Sequence, residues 1–192
     1  MDYKDINAVL LSHLHSDHIS DLLVMRYALQ LKKCPPMPLY LPATPGNMYE
    51  IFAGEKTFAT TVILDGMHIT VGDVHAEFCR MAHSVESYAV RLKSGGKTFV
   101  YSGDTSINDD LAVFARNADL LLIDAQFSNE NLPANPPHLS AAQAGEIAKI
   151  SGAKRLLLTH INPEQNEKTL LAQAKDIFKN TDVAVENREY SI

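Results

Sequence analysis

His13-Leu14-His15-Ser16-Asp17-His18 brings three histidines and one aspartate together within six residues. It follows the apolar run at residues 6–11, which predicts a buried strand. Alternate residues of a strand point to the same side, so His13 and His15 can reach one ion together. Asp17 and His18 come where the chain must turn, and they can point at a second ion beside the first. Imidazole and carboxylate groups are typical ligands of zinc and similar divalent metals, so the stretch predicts a metal site.

A polar strand end with unrelated histidines is the simpler alternative, but the whole chain contains only eight histidines. Three further residues follow apolar strand patterns and offer possible ligands: His83 after residues 76–81, Asp104 after 99–101 and His160 after 155–158. Each of these also has an ordinary explanation as a surface histidine, a turn residue or a strand end. Because these three residues offer the same kinds of ligand as residues 13–18 and also follow strands, the pattern favours one shared metal site.

In this order the segments resemble the motifs of the metallo-β-lactamase superfamily, whose first motif is His-x-His-x-Asp-His. The resemblance extends from near the start of the chain almost to its end. It implies an α/β chain with a four-layer αββα fold, in which these strand ends surround one cleft. The ligands that it implies are His13, His15 and His83 for a first ion, Asp17, His18 and His160 for a second, and Asp104 as the bridge between the two.

Two such ions would lie roughly 3.5–4 Å apart and hold a bridging hydroxide at neutral pH. The hydroxide would attack phosphorus or a carbonyl carbon, and Asp17 would orient the attacking water as the general base. The oxygen-reducing diiron branch of the superfamily generally has an acidic residue at the position of His15. Histidine there favours a hydrolytic site with Zn²⁺, and Mn²⁺ or Fe²⁺ are the alternatives.

The segments at residues 137–148 and 82–88 resemble the ribonuclease Z branch of the superfamily. That resemblance makes His138 a candidate general acid or phosphate-binding donor, with a surface-loop histidine as the alternative. Where ribonuclease Z has His-Glu-Ala-Thr, this chain has Ile123-Asp124-Ala125-Gln126. Asp124 could support His138, orient a metal-bound histidine, or cap the segment after its strand.

The substrate expected from these features is small. No Gly/Pro-rich basic insertion replaces the tRNA-gripping arm of ribonuclease Z, and the net charge is −6, which is unfavourable for neutralising many phosphates. A phosphodiesterase acting on cyclic nucleotides or short nucleic acid is therefore favoured. A hydrolase of a lactone, thioester or amide and a catalytically silent metal-binding chain are the alternatives. Basic side chains near the cleft would favour the phosphodiesterase over a hydrolase of another bond, and Arg80 and Arg91 are candidates for such side chains.

Composition predicts one domain over residues 1–192, since the chain is 46% hydrophobic and long enough for a substantial core. No apolar run reaches membrane-spanning length, and the start of the chain has no signal-peptide pattern. Cys34 and Cys79 lie far apart and are expected to be reduced thiols. These features predict a cytoplasmic protein.

The first metal motif comes unusually early for this family, so the chain is expected to lack the N-terminal strands that complete the first sheet. An unpaired edge and exposed apolar surface should result. Pairing of two copies across that edge, or low stability of a single copy, are the two expected consequences.

Hydrophobic periodicity and turn residues predict alternating helices and strands. Predicted helices span residues 19–33, 44–52, 108–117, 140–151 and 163–179, the first of them amphipathic. Predicted strands span residues 6–11, 38–41, 61–64, 69–71, 74–81, 87–92, 98–101, 120–123, 155–159 and 183–185.

Overall fold

The computed structural model describes residues 5–54 and 56–192; the other positions of the predicted domain, 1–4 and 55, lie outside the described residues. The strands are β1 (Val9–Leu10), β2 (Met37–Leu41), β3 (Phe58–Val62), β4 (His68–Val71), β5 (Val74–Met81), β6 (Ser87–Ser94), β7 (Lys97–Tyr101), β8 (Leu120–Asp124), β9 (Leu156–Thr159) and β10 (Thr181–Val183). The helices are α1 (Ser16–Leu31), α2 (Gly46–Ala53), α3 (Asp109–Phe114), α4 (Ala141–Ser151) and α5 (Glu167–Ile177). None of these helices combines the length and apolar character that a membrane span requires.

The strands form two sheets. The first sheet is parallel, in the order β1-β2-β3, and the second has the order β10-β9-β8-β7-β6-β5-β4. In the second sheet, β7 to β10 run parallel, while β4 to β7 alternate in direction. The carboxyl ends of β5, β7, β8 and β9 therefore lie along one rim of this sheet, where residues that follow several strands can meet.

Three apolar clusters separate four layers. One cluster joins α1 and α2 to the first sheet and includes Leu22, Leu39 and Phe52. A second lies between the two sheets, with Tyr40 from one and Phe78 from the other. The third, which is the largest, packs α3, α4 and α5 on the outer face of the second sheet. The observed order of layers is the αββα arrangement expected from the sequence.

Most predicted elements form close to their expected positions, but three boundaries near the ends differ. β1 contains two residues, so the predicted strand at 6–11 is mostly irregular. The last helix begins at Glu167 rather than 163 because the Asn166 side chain accepts hydrogen bonds from the amides of Lys168 and Thr169. The final strand lies at 181–183, two residues earlier than predicted, in register with β9.

The prediction for the first helix was wrong in two respects. α1 begins at Ser16 instead of residue 19, so the last part of the histidine-rich stretch is helical. It is also apolar on two sides instead of one, because Val24 and Tyr27 are strongly exposed while Leu22 and Leu29 are buried.

The first sheet has an open edge at β1, since no described strand pairs with the outer side of β1. Val9 and Leu10 are themselves half-buried. The large exposed apolar side chains that the sequence predicts for this edge lie on other elements, including α1. Cys34 and Cys79 are free thiols, as predicted.

Candidate metal centre

All seven predicted ligands come together where the two sheets meet. His13 and His15 lie between β1 and α1, and Asp17 and His18 lie in the first turn of α1. The other three follow strands of the second sheet: His83 after β5, Asp104 after β7 and His160 after β9. A hydrogen bond from the backbone amide of Tyr88 to the carbonyl of Ser12 (2.9 Å) ties the two contributing segments together.

The first group of donors contains His13, His15, His83 and Asp104, whose ligand atoms all lie within 4.8 Å of one another. Nε2 of His13 is 3.4 Å from Oδ2 of Asp104. Nε2 of His83 is 3.3 Å from Nδ1 of His15. His13 is fully buried and Asp104 is nearly so, which places this group at the floor of the site.

The second group contains Asp17, His18 and His160. Oδ2 of Asp17 lies 3.2 Å from Nε2 of His18 and 3.5 Å from Nε2 of His160. Oδ2 of Asp104 lies 3.3 Å from Nε2 of each of these two histidines. Asp104 therefore contacts both groups, which is the position expected of a bridging carboxylate.

His138 and Asp124 form a pair beside these groups. Nδ1 of His138 is 2.8 Å from Oδ2 of Asp124, which also accepts a hydrogen bond from the amide of Thr105 at 3.1 Å. The other oxygen of Asp124 is 3.7 Å from Nδ1 of His160. Of the three roles left open by the sequence, the contacts agree with support of His138 and orientation of His160. They do not include a hydrogen bond that would cap the segment after β8.

Three partners of the histidines could not be identified from the sequence. The Ser12 hydroxyl lies 3.1 Å from Nδ1 of His13, the carbonyl of Pro137 lies 3.2 Å from Nδ1 of His83, and the amide of Gln126 lies 3.4 Å from Nδ1 of His160. Contacts at Nδ1 orient each ring so that Nε2 faces the site. Pro137 is 54 residues away from His83 in the chain, so no local pattern indicates that contact.

The histidines of the site differ in the direction in which their surroundings shift the pKa. Burial, together with the neighbouring His18, lowers the pKa of His13 to about 3, so this imidazole is neutral and able to bind a metal. Burial also lowers the pKa of His160, but the carboxylates of Asp124, Asp104 and Asp17 outweigh it and raise the pKa to about 9. Burial disfavours ionisation of Asp104, yet the hydrogen bond with His18 and the charges of the surrounding histidines lower its pKa to about 2.

Unsatisfied buried atoms show that these residues fit metal ions. Nε2 of His13 and Oδ1 of Asp104 are fully buried and make no hydrogen bond. Buried polar atoms almost always have a partner, and here the neighbouring groups are further imidazoles and carboxylates. A donor set of five histidines and two aspartates suits divalent ions of the zinc type.

Backbone geometry at two positions brings ligands to the rim. Gly103 has a φ of +60°, and a Cβ there would lie 2.8 Å from the carbonyl oxygen of Tyr88. Only glycine fits this close approach, which directs Asp104 into the site. His160 itself has a φ of 56°, a conformation that is uncommon outside glycine and typical of functional positions.

The four layers and the convergent histidines and aspartates define a metal-binding α/β protein whose site lies at strand ends between two sheets. The chain belongs to the metallo-β-lactamase superfamily: the family model described as a beta-lactamase superfamily domain matches residues 1–161. The fold expected from the sequence resemblance is confirmed.

Relatives support this placement. A probable metallo-hydrolase, YhfI, from Bacillus subtilis is 30% identical over 91% of this chain and 74% of its own length. The crystal structure of YhfI matches with a TM-score of 0.87 over 94% of this chain and 76% of that chain. Ribonuclease Z from Brevibacillus brevis is 26% identical over 96% of this chain and 79% of its own length. These relatives support the ribonuclease Z-like branch predicted from the sequence.

Proposed function

We propose that this metal-dependent hydrolase of the metallo-β-lactamase superfamily cleaves small phosphodiesters at a site for two divalent ions. The observation that carries the proposal is the 2.8 Å contact between His138 and Asp124 next to the seven convergent donors. The contact supplies an oriented imidazole where a leaving oxygen needs a proton. The names of relatives agree with chemistry at phosphorus, since one of them is a ribonuclease Z.

Each ion has its own set of ligands in this proposal. His13, His15 and His83 hold the first ion, Asp17, His18 and His160 hold the second, and Asp104 contacts both. When bound, two divalent ions of the Zn²⁺ type activate a solvent molecule as nucleophile and offset the negative charge that develops on the substrate. Mn²⁺ and Fe²⁺ suit the same donors.

In this proposal Asp17 orients the attacking water. Its side chain is 62% exposed, so it can reach solvent within the cleft. Burial alone would raise its pKa, but backbone hydrogen bonding in the first turn of α1 and the nearby His18 and His160 lower it. Asp17 is therefore ionised at neutral pH and accepts a hydrogen bond from the water that attacks.

In the proposed reaction His138 acts on the leaving group, whereas Asp17 acts on the attacking water. Its Nδ1–H donates to Asp124, which fixes the tautomer and the ring plane and leaves Nε2 as the atom that exchanges a proton. Stacking of His138 on the ring of His160, with centroids 4.8 Å apart, holds the ring beside the metal ligands. In the proposed reaction protonated Nε2 donates to the departing oxygen or to a phosphate oxygen.

The cleft suits a compact substrate of low charge. Its volume is about 420 Å³, and Ile161, Asn162 and Pro163 form part of its outer wall. The basic side chains that would have favoured a phosphodiester are absent from this lining: no Lys or Arg is among the described residues that line the cleft, Arg80 is exposed, and Arg91 pairs with Glu77 on the outer face of the second sheet. A cyclic nucleotide or short oligonucleotide with one charge at the scissile phosphate is the proposed substrate.

The same uncharged wall also suits a neutral ester, so a hydrolase of a lactone or thioester is the second candidate function. The thioester reaction differs from phosphodiester cleavage in its dependence on His138, whereas a lactone, whose leaving group is also an alkoxide, does not. An alkoxide leaving group from a phosphodiester needs a proton, whereas a thiolate leaves without one.

Metal content and activity measured on one purified sample test the proposal. We expect about two divalent ions per chain and cleavage of bis(p-nitrophenyl) phosphate that a chelator abolishes. Asp104→Ala should lose both metal and turnover. His138→Gln should keep the metal and lose activity on a 3′,5′-cyclic nucleotide more than on the activated ester.

Three outcomes would contradict different parts of the proposal. A folded sample that binds no metal would overturn the ligand assignment. Two bound ions with turnover of a thioester but not of any phosphodiester would transfer the function to the second candidate. Two bound ions with no turnover of either substrate would indicate a silent metal-binding chain.

A further inference from the structure

Gln126 is a half-buried amide in the wall of the cleft, and it belongs to neither group of proposed metal ligands. Two backbone hydrogen bonds hold it in place. The amide of Ala125 donates to the carbonyl of Thr159 at 3.0 Å, and the amide of Phe127 donates to the carbonyl of Leu139 at 3.2 Å. One acceptor directly precedes a proposed metal ligand and the other directly follows the proposed proton donor. The backbone therefore fixes Gln126 between these two histidines.

The contact between Gln126 and His160 has a defined donor and acceptor. Nε2 of His160 lies 3.5 Å from Asp17 and 3.3 Å from Asp104, so Nε2 is the atom that an ion would take. An imidazole that binds through Nε2 carries its proton on Nδ1, which must then donate a hydrogen bond. The side-chain amide of Gln126 lies 3.4 Å from this Nδ1, whereas Oδ1 of Asp124 lies 3.7 Å away, which is too long for a hydrogen bond. Gln126 is therefore the better placed acceptor.

Donation from His160 decides which end of the Gln126 amide faces the ring. The carbonyl and amino ends of an amide have nearly the same shape, so the hydrogen-bond partners set the orientation. A donor at Nδ1 requires the carbonyl oxygen of Gln126 opposite it. The amino group, with its two N–H donors, then points away from His160 in a residue that lines the cleft.

A neutral donor at this place suits a phosphoryl group. No Lys or Arg is among the described residues of the cleft lining, so the phosphate oxygens meet no permanently charged cation there. Gln126 and Asn162 carry the amides of that lining, and an amide donates hydrogen bonds at any pH. Asn162 closes a turn with Glu164 and makes no hydrogen bond to a described histidine. Gln126 is thus the amide that can connect a proposed metal ligand to the substrate.

We propose that the carbonyl oxygen of Gln126 accepts the Nδ1 proton of His160 while its amino group donates a hydrogen bond to a non-bridging oxygen of the scissile phosphate. Gln126 is then a positioning residue for His160 and a binding residue for the substrate. The first role depends only on the donors of the candidate centre. The second role rests on the proposed phosphodiesterase function and supplies the phosphate donor that the cleft otherwise lacks.

Zinc titration of the metal-free chain in competition with a chromophoric chelator tests the first role without any turnover. Gln126→Met keeps the length of the side chain but removes the acceptor, and it should weaken the binding of one of the two ions by about 10–100-fold. Gln126→Glu restores an acceptor and should bind both ions at least as tightly as the natural sequence does.

Asn162→Asp is the matched control for the added charge. It places a carboxylate in the same wall of the cleft, at a residue with no hydrogen bond to a described histidine. Its zinc affinity should therefore stay within about threefold of that of the natural sequence. Circular dichroism of each variant, compared with the natural sequence, shows that the fold is retained.

Calorimetric titration of the zinc-loaded chain with inorganic phosphate tests the second role, again without turnover. We expect the natural sequence to bind phosphate. Gln126→Glu keeps the metal but replaces the donor by an anion, and it should weaken phosphate binding by about 10–100-fold. Asn162→Asp adds the same charge without removing the proposed donor, and it should weaken phosphate binding by about threefold or less.

The contradicting results differ for the two roles. If Gln126→Met binds zinc like the natural sequence, or Gln126→Glu loses as much zinc affinity as Gln126→Met, the contact with His160 is overturned. If the natural sequence binds phosphate and Gln126→Glu weakens this binding no more than Asn162→Asp, the contact with the substrate is overturned and the proposed function stands. If the zinc-loaded natural sequence binds no phosphate, that contact and the proposed function are overturned together.

Discussion

In the proposed reaction Asp124 is the residue on which the chemistry of the cleft depends most, because its carboxylate contacts His138, the proposed proton donor, and His160, a proposed metal ligand. One oxygen receives the Nδ1–H of His138 and the other lies 3.7 Å from Nδ1 of His160. Buried and almost without other partners, it can stabilise a positive charge on either ring. The Asp124 side chain thus connects the proposed proton donor to a proposed metal ligand.

Replacing Asp124 by Asn should lower kcat on a phosphodiester by about 10²–10⁴-fold, since His138 loses the anion that fixes its tautomer and supports its charged form. Steady-state kinetics with metal analysis would measure the effect. The double variant with His138→Gln should be no slower than His138→Gln alone if Asp124 acts through His138. Independent losses that multiply would instead assign the effect to His160.

Gly103 illustrates how one residue without a side chain sets the position of the candidate ligand Asp104. Gly103→Ala should lower the free energy of unfolding by about 2–4 kcal/mol, because the new Cβ both requires a φ of +60° and approaches the carbonyl of Tyr88 to 2.8 Å. Urea denaturation would measure the change. Gly96→Ala is the matched control, since Gly96 has a φ of +74° with nothing within 4 Å, and it should cost about 1 kcal/mol. Equal losses for the two variants would show that the contact with Tyr88 has no energetic weight.

At the scale of elements, the site is formed by strand ends and one helix start. Sequence patterns could predict this because a buried parallel strand is a short apolar run, and polar residues directly after it stand out. His83, Asp104 and His160 were found in that way. The elements that carry them were also predicted within a few residues.

Other features of the elements could not be predicted because they depend on packing between distant segments. The carbonyl of Pro137 and the hydroxyl of Ser12 become histidine partners only after the sheets have stacked. The sequence of α1 was expected to have one apolar face, and the second face becomes evident only when the first is buried.

Glu86 joins two elements from different layers, and its effect on stability should depend on pH. The Tyr88 hydroxyl donates to it at 2.6 Å and the Thr44 hydroxyl at 3.0 Å, linking the start of β6 to the loop before α2. Partial burial raises the pKa of Glu86, but these hydrogen bonds lower it below the ordinary value of 4.5. A lowered pKa gives stability that is complete above pH 4.5 and is lost as pH falls through the folded-state pKa.

Glu86→Gln should therefore destabilise the fold at pH 7, by about 1 kcal/mol or less because the carboxylate is only partly buried and solvent screens its interactions. The difference from the natural sequence should shrink as the pH falls below 4.5. Chemical denaturation at pH 7, 5 and 4 would measure it, with Glu146→Gln on the exposed side of α4 as control. A difference that stays constant from pH 7 to pH 4 would show that the ionised form of Glu86 has no special role.

At the scale of the whole molecule, the candidate centre joins two halves of the fold. His13, His15, Asp17 and His18 belong to the side of the first sheet, while His83, Asp104 and His160 belong to the second sheet. Between the sheets lies a smaller apolar cluster than the one beneath α3, α4 and α5. Bound ions would therefore hold together the two parts that the apolar core joins least extensively.

Removing metal should lower the thermal stability of the whole chain. Ions that bind only the folded state at a thousandfold excess over their Kd stabilise it by about 4 kcal/mol. Differential scanning calorimetry with and without a chelator should show a clear fall in Tm that added Zn²⁺ reverses. The Tm of Asp104→Ala should change neither with the chelator nor with added Zn²⁺. If the chelator leaves the Tm of the natural sequence unchanged, bound metal does not contribute to the stability of the fold.

The outer wall and the floor of the cleft are formed by different parts of the chain. The floor is fixed by buried donors in several elements, whereas Ile161, Asn162 and Pro163 form one short segment between β9 and α5. Asn162 closes a local turn by accepting hydrogen bonds from the amides of Glu164 and Gln165. Ile161, by contrast, packs against the largest apolar cluster of the chain. A protein engineer could therefore keep Ile161 and change only Asn162 and Pro163, for instance by introducing a lysine, to recruit a more highly charged substrate without rebuilding the centre. Because the wall and the centre are formed by different residues, evolution could also change the specificity of the cleft while the candidate metal centre stays the same.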